Sequence, residues 1–172
     1  MNNNKLLAGL LVCSLIIAII GNGMLPLMPV YAVILGAGKA LSGYYLALTY
    51  LALAARTYSA AWFLQRFPRP RAVLITSILL NLPLVWLFQY ITAVWHLIVL
   101  TMITWFIGGL FGAVVSIVAG LAADENERGR IFGLLGLTGP LGTLLGGLIF
   151  RPIVDRWGYA SLFLFIFLLE LP

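Results

Sequence analysis

Charge is scarce in this sequence. Only 9% of its 172 residues are Asp, Glu, Lys or Arg, against 63% hydrophobic residues, and the mean hydropathy is +1.10. A soluble core of this size cannot hide so many apolar side chains, so lipid is the solvent for most of the chain. Cysteine is limited to Cys13, which excludes a disulfide or thiolate framework and says nothing of redox compartment. The single histidine, His96, has no Cys, Asp or Glu near it in sequence and makes neither a metal site nor an acid–base pair. No Ser/His/Asp group, phosphate-cradling loop or dinucleotide fingerprint occurs, so enzymatic chemistry, a metal and a cofactor are all unsupported.

What fills the chain instead is a series of long apolar runs. A helix rises about 1.5 Å per residue, so crossing a hydrocarbon core of about 30 Å takes about 20 residues. That ruler predicts an all-α integral membrane protein: one bundle over residues 1–172, with six transmembrane helices at about 6–30, 42–65, 72–95, 97–122, 130–150 and 159–172. The last, at fourteen residues, is too short and is read as truncated. A secretory signal competes for the N-terminus, because Lys5 precedes an apolar run from Leu6 to Ile20. No small-x-small cleavage pattern follows at once, and five further spans favour an uncleaved first helix.

Lysine and arginine in short loops resist translocation. Lys5, Arg66, Arg69, Arg71, Arg128 and Arg130 fall on one side of a six-helix zigzag, against Lys39, Arg151 and Arg156 on the other. This asymmetry predicts cytoplasmic termini, with the cell (plasma) membrane as the expected location. The net charge of +5 is then a topology signal and a grip on anionic headgroups. Nucleic acid is not expected as a partner, since no continuous solvated basic surface exists to track a phosphate backbone.

Two turns resemble each other. Gln65-Arg66-Phe67-Pro68 closes the second helix and Asp155-Arg156-Trp157-Gly158 follows the fifth, displaced by 90 residues. Two inverted three-helix repeats would give this spacing. On these residues alone, coincidence explains it equally well, because such turns are common at membrane edges.

Small residues mark helix contacts. Gly108, Gly112, Ser116 and Gly120 recur every four residues along one ridge, and Thr138, Gly142 and Gly146 form a similar row beside Gly139, Pro140, Thr143 and Gly147. Lipid gives no hydrophobic drive for pairing, so helices associate through such close-approach rows; packing alone accounts for them, and smooth faces would also let one bundle slide past another. Among polar residues, Arg56 stands out. It lies ten positions before Arg66, hence about 15 Å from the helix end, where an arginine costs about 2.5–3.5 kcal/mol on insertion scales. It either faces a translocation cavity, with Asn22 and Tyr58 as further pathway candidates, or pairs with backbone carbonyls and snorkels to the interface. Glu170 reaches similar depth in the last helix, but no role is assigned to it.

Leu25-Pro26-Leu27-Met28-Pro29, the basic Arg66 to Arg71 turn, Glu127-Arg128-Gly129-Arg130, Gly139-Pro140-Leu141-Gly142 with Gly146-Gly147, and Asp155-Arg156-Trp157-Gly158 occur in that order. Together they resemble the N-terminal six-helix half of a major facilitator superfamily transporter, over essentially the whole chain. The resemblance implies alternating access, in which two six-helix halves rock about a central site lined by helices one, two, four and five. It also implies a cytoplasmic gating loop after helix two, here Gln65, Arg66, Arg69 and Arg71. In that family the loop usually reads Gly-x-x-x-Asp-Arg-x-Gly-Arg-Arg or similar. Ala61 stands here at the first glycine, Gln65 at the carboxylate and Pro68 at the second glycine. An amide at Gln65 accepts a hydrogen bond but carries no charge, so the latch is weaker than a carboxylate one. Thr104 holds the place where drug-proton antiporters of the family tend to carry arginine, and Gly142-Thr143-Leu144-Leu145 interrupts their Gly-Pro-x-x-Gly-Gly pattern.

The resulting expectation is secondary active transport of a small solute, whose identity, coupling ion and direction are not encoded in any motif. One six-helix half needs another, supplied by a missing C-terminal half, a separate chain or a second copy. The alternative is a non-transporting membrane module, or an inactive fragment, that associates with another membrane protein.

Overall fold

The computed structural model describes residues 3–67 and 69–170 and is all-helical, with no strand among them. Pro68 of the basic turn and residues 171–172, where the last helix was expected to end, lie outside the described residues. Six helices follow in order: α1 (Asn3–Met24), α2 (Leu27–Ile34), α3 (Lys39–Arg66), α4 (Pro70–Leu87) continued by a 3-10 turn at Phe88–Tyr90, α5 (Val94–Ala122) and α6 (Arg128–Glu170).

Proline and glycine set the boundaries. Pro26 has no N–H to offer the helix and separates α1 from α2, while keeping helical angles (φ −73°, ψ −22°), so one rod of two pieces continues to Ile34. Gly36, at φ +92°, ends it: the Gly36 amide donates to Val33 O and the Ala37 amide to Ala32 O, both at 2.9 Å, the Schellman arrangement that only a left-handed residue closes easily. Pro70 opens α4 at its first turn, where a missing N–H costs nothing. The expected fifth and sixth helices are the two limbs of α6: the backbone leaves helical geometry at Gly158 (φ +79°, ψ +176°), which separates a first limb (128–157) from a second limb (159–170).

Among the described residues four segments are long and apolar enough to cross a membrane: Lys5–Ile34, Pro70–Tyr90, Val94–Ala122 and Arg128–Glu170. By length and composition this is two fewer than the six expected. One difference is only of counting, because Arg128–Glu170 holds the two helical limbs on either side of Gly158. The other is α3, whose 28 residues are long enough but whose apolar run is diluted by Tyr44, Tyr45, Tyr50, Arg56 and Tyr58.

Contacts fix how the rods run. Ser14 meets Thr138, Ala18 meets Gly142 and Gly23 meets Gly146, so α1 and the first limb of α6 are parallel. Tyr45 meets Thr101 and Arg56 meets Gly109, so α3 and α5 are parallel too. Asn81 meets Glu170, Trp86 meets Phe167 and Phe88 meets Phe163, which makes α4 and the second limb antiparallel. The second limb also touches α2: Tyr31 and Tyr159 stack with centroids 4.2 Å apart, and the Tyr159 hydroxyl donates to Leu27 O at 3.1 Å.

The two ends of the bundle are packed differently. The aromatic end gathers Met24, Met28, Ala32, Tyr45, Val85, Phe88, Leu97, Phe150 and Phe163 from every helix into one buried cluster. The basic end, where Lys5, Arg66, Arg71 and Arg128 lie, has a smaller core of Leu7, Leu10, Phe111, Val115, Ala119, Ala123, Ile131 and Leu135 from α1, α5, α6 and the turn before it; α4 adds Leu74 at its margin. Toward this end α3 buries Ala60 against the bundle and leaves Tyr58 and Trp62 exposed.

Candidate functional site

The α3–α5 seam begins, at the aromatic end, with a buried polar ladder. The Thr49 hydroxyl donates to Tyr45 O at 2.8 Å, and the Tyr45 hydroxyl donates to Thr101 Oγ1 at 3.4 Å. With no water available, hydroxyls inside a bundle satisfy themselves on helix carbonyls and on each other. Two turns beyond Thr49 the seam changes character. Arg56 is half-buried and its side chain lies in the notch left by Gly109, so that a Cβ added at Gly109 would fall within it. The aliphatic stem thus packs against bare backbone, while the guanidinium has no hydrogen-bond or ion-pair partner among the described residues. Arg56 is thus a half-buried cation without a partner among the described residues. On α5, Thr104 Oγ1 is also buried without a partner.

The other two pathway candidates lie elsewhere. Asn22 sits in the α1–α6 seam, where its Nδ2 donates a long 3.5 Å bond to Gly139 O. Tyr58 is 85% exposed on the outer face of α3. No hydrogen bond or ring contact joins Arg56, Asn22 and Tyr58.

The gating-loop candidates Gln65, Arg66, Arg69 and Arg71 are all exposed at the basic end. None is in an ion pair; among the described residues the only one is Arg151–Asp155 at 2.9 Å, at the aromatic end. Arg69, Pro70, Arg71 and Ala72 line a shallow groove of about 420 Å³.

The small-residue rows divide sharply. A Cβ on Gly142 would strike the Ala18 backbone, and one on Gly146 would strike Gly23 Cα, so α1 and the first limb touch backbone to backbone. Ser14 and Thr138 share a 3.1 Å hydroxyl bond at the start of this seam, and Gly139 receives Asn22, while Pro140 is exposed. On α5, by contrast, Gly108 and Gly112 have open space where a side chain would go, and only Gly120 of that row meets a close neighbour, the ring of Phe132. The glycine that matters on α5 is Gly109. Sequence spacing passed over it because adjacent residues of a helix differ by about 100° in direction, and nothing in the chain says which one faces α3. Among the described residues no three His, Cys, Asp or Glu side chains gather where a metal could be held.

The profile of the Major Facilitator Superfamily matches residues 10–171. The chain belongs to the major facilitator superfamily. No curated protein and no solved structure matches it. Major facilitator proteins are transporters rather than enzymes. This one is therefore an integral membrane protein of a transporter family, and its apolar helices agree with that.

Proposed function

We propose that this chain is the N-terminal six-helix half of a secondary active transporter that moves a small solute by alternating access. It faces a second six-helix half, and Arg56 is its principal contact to cargo. In this reading α1 with α2, then α3, α4, α5 and the two limbs of α6 are spans one to six. The termini are cytoplasmic, the membrane is the plasma membrane, and the basic end carries the gating loop of Gln65, Arg66, Arg69 and Arg71.

Helix pairing supports an inverted repeat. A two-fold axis in the membrane plane exchanging spans one and four, two and five, and three and six would turn the parallel one–five contact into a parallel four–two contact. It would turn the three–four neighbours into six–one neighbours and leave the antiparallel three–six pair unchanged. Ala18–Gly142 and Arg56–Gly109 supply the first exchange, Tyr31–Tyr159 supplies the six–one contact, and Asn81–Glu170 supplies the last. The outer face of α3, with Tyr44, Ala47, Leu51, Tyr58 and Trp62 exposed at helical spacing, is uncovered by this bundle and less apolar than a lipid-facing helix, as apposition to another half requires.

The observation that carries the cargo assignment is the unpaired Arg56 guanidinium at mid-depth, a fit for an anionic group. Uptake and efflux of a panel of labelled organic anions in sealed vesicles test it, using this chain together with its second half. Arg56→Ala should abolish flux and Arg56→Lys should restore part of it. Undiminished flux in Arg56→Ala would remove Arg56 from the pathway. Cysteines placed at Arg69 and at Gly36, in a Cys13→Ser background, should react from the cytoplasm and the exterior respectively; the reverse pattern inverts the topology.

A further inference from the structure

Among the described residues one polar contact, Asn81 with Glu170, holds the second limb of α6 to α4. Asn81 Nδ2 donates to both carboxyl oxygens of Glu170, at 3.0 Å and 3.3 Å, while Asn81 Oδ1 is buried and has no partner. Asn81 is eleven positions into α4 and Glu170 eleven positions past Tyr159, so from either end the pair is about 16 Å deep. A carboxylate there is costly to keep charged, and a buried carbonyl oxygen with no donor is costly in its own right. Both penalties have one remedy, a single hydrogen between the two groups.

We propose that Asn81 and Glu170 form a proton-binding site, in which protonated Glu170 donates its O–H to Asn81 Oδ1 while Asn81 Nδ2 continues to donate to the other carboxyl oxygen. A proton taken from water neutralises the carboxylate, the forked bond from Nδ2 narrows to one oxygen, and the orphan acceptor is filled. The product is a cyclic pair with two hydrogen bonds, the complement that a carboxamide offers to a neutral carboxylic acid and cannot offer to a carboxylate. Among the described residues no ion pair reaches the site. α4 with its 3-10 turn carries Arg71, ten positions before Asn81, and Tyr90; α5 carries His96, at its first turn; α2 brings Tyr31 against the second limb, which itself carries Tyr159. Trp86 against Phe167 and Phe88 against Phe163 cover the contact on the side of the aromatic end. The consequence is that proton uptake ties span three to span six. Because the proton is read on the chain itself, the inference stands or falls separately from transport and from Arg56.

Infrared difference spectra of the chain in lipid vesicles, recorded while the pH is lowered, test the site. The other acids, Asp124, Glu125, Glu127 and Asp155, are exposed and present in every variant, so differences between samples isolate Glu170. The expected result is one protonated-carboxyl C=O band that disappears completely in the isosteric Glu170→Gln and moves to higher frequency in Asn81→Leu, where the amide bonds are gone. Asn81→Ala, run alongside, should move the band the same way and so separates the lost hydrogen bonds from added volume. A wild-type carboxyl spectrum retained in Glu170→Gln would overturn the site, as would a Glu170 band that neither Asn81 variant moves.

Discussion

The two parallel seams, α1 with the first limb of α6 and α3 with α5, do the same job by opposite means. In the first, backbone meets backbone at Gly23, Gly142 and Gly146, and Ser14 with Thr138 adds one hydroxyl bond. In the second, Tyr45 and Thr101 bridge one end and Arg56 fills the middle. Small residues allow close approach, and close approach is what associates helices when lipid is as apolar as they are. The first seam is therefore a rigid strut. The second keeps a gap, which the long side chain of Arg56 occupies.

Substitutions can break or sharpen this contrast. The largest effect belongs to Gly146→Leu or Gly142→Leu, which forces side-chain volume against the backbone of Gly23 or Ala18; overpacking of this kind should cost about 3 kcal/mol or more, read as loss of helical circular dichroism at lower denaturant in micelles. Tolerance of either change would mean that the strut is not one. Gly109→Ala should cost less, about 1 kcal/mol, because its new methyl displaces a side chain that can rotate away. In an Arg56→Ala background the same change should become neutral, and a double-mutant cycle that shows no coupling would separate the two residues. Tyr45→Phe removes one long hydroxyl bond and should cost about 0.5 kcal/mol in the same unfolding measurement. Arg151→Ala, at an exposed i,i+4 pair outside both seams, should leave unfolding unchanged.

Much of this was legible in the chain because membrane helices obey a simple ruler and because proline and glycine announce their ends. Pro70 and Gly158 fall in the expected gaps between helices, whereas Pro26 divides a first span expected to run unbroken over 6–30. The row Thr138, Gly142 and Gly146 could be read for the same reason, since three small residues at i, i+4 and i+8 leave one possible ridge. The contacts of Gly109 and Asn81 could not. Gly108 and Gly109 are equivalent until a partner helix chooses between them, and Asn81 is one of several polar residues whose meaning depends on what arrives opposite it from the far end of the chain. Periodicity describes one helix at a time, whereas both candidate sites are properties of a pair.

One feature of α3 bears on how the protein is made. Its tyrosines and Arg56 leave it outside the segments apolar enough to cross a membrane on composition alone, and an arginine near the centre of a helix adds about 2.5–3.5 kcal/mol against partitioning. During synthesis this segment emerges before α4 and α5, the neighbours that would shelter it. It should therefore wait at the translocon, half-committed, until the strongly apolar α5 is born and Gly109 offers Arg56 a place to lie.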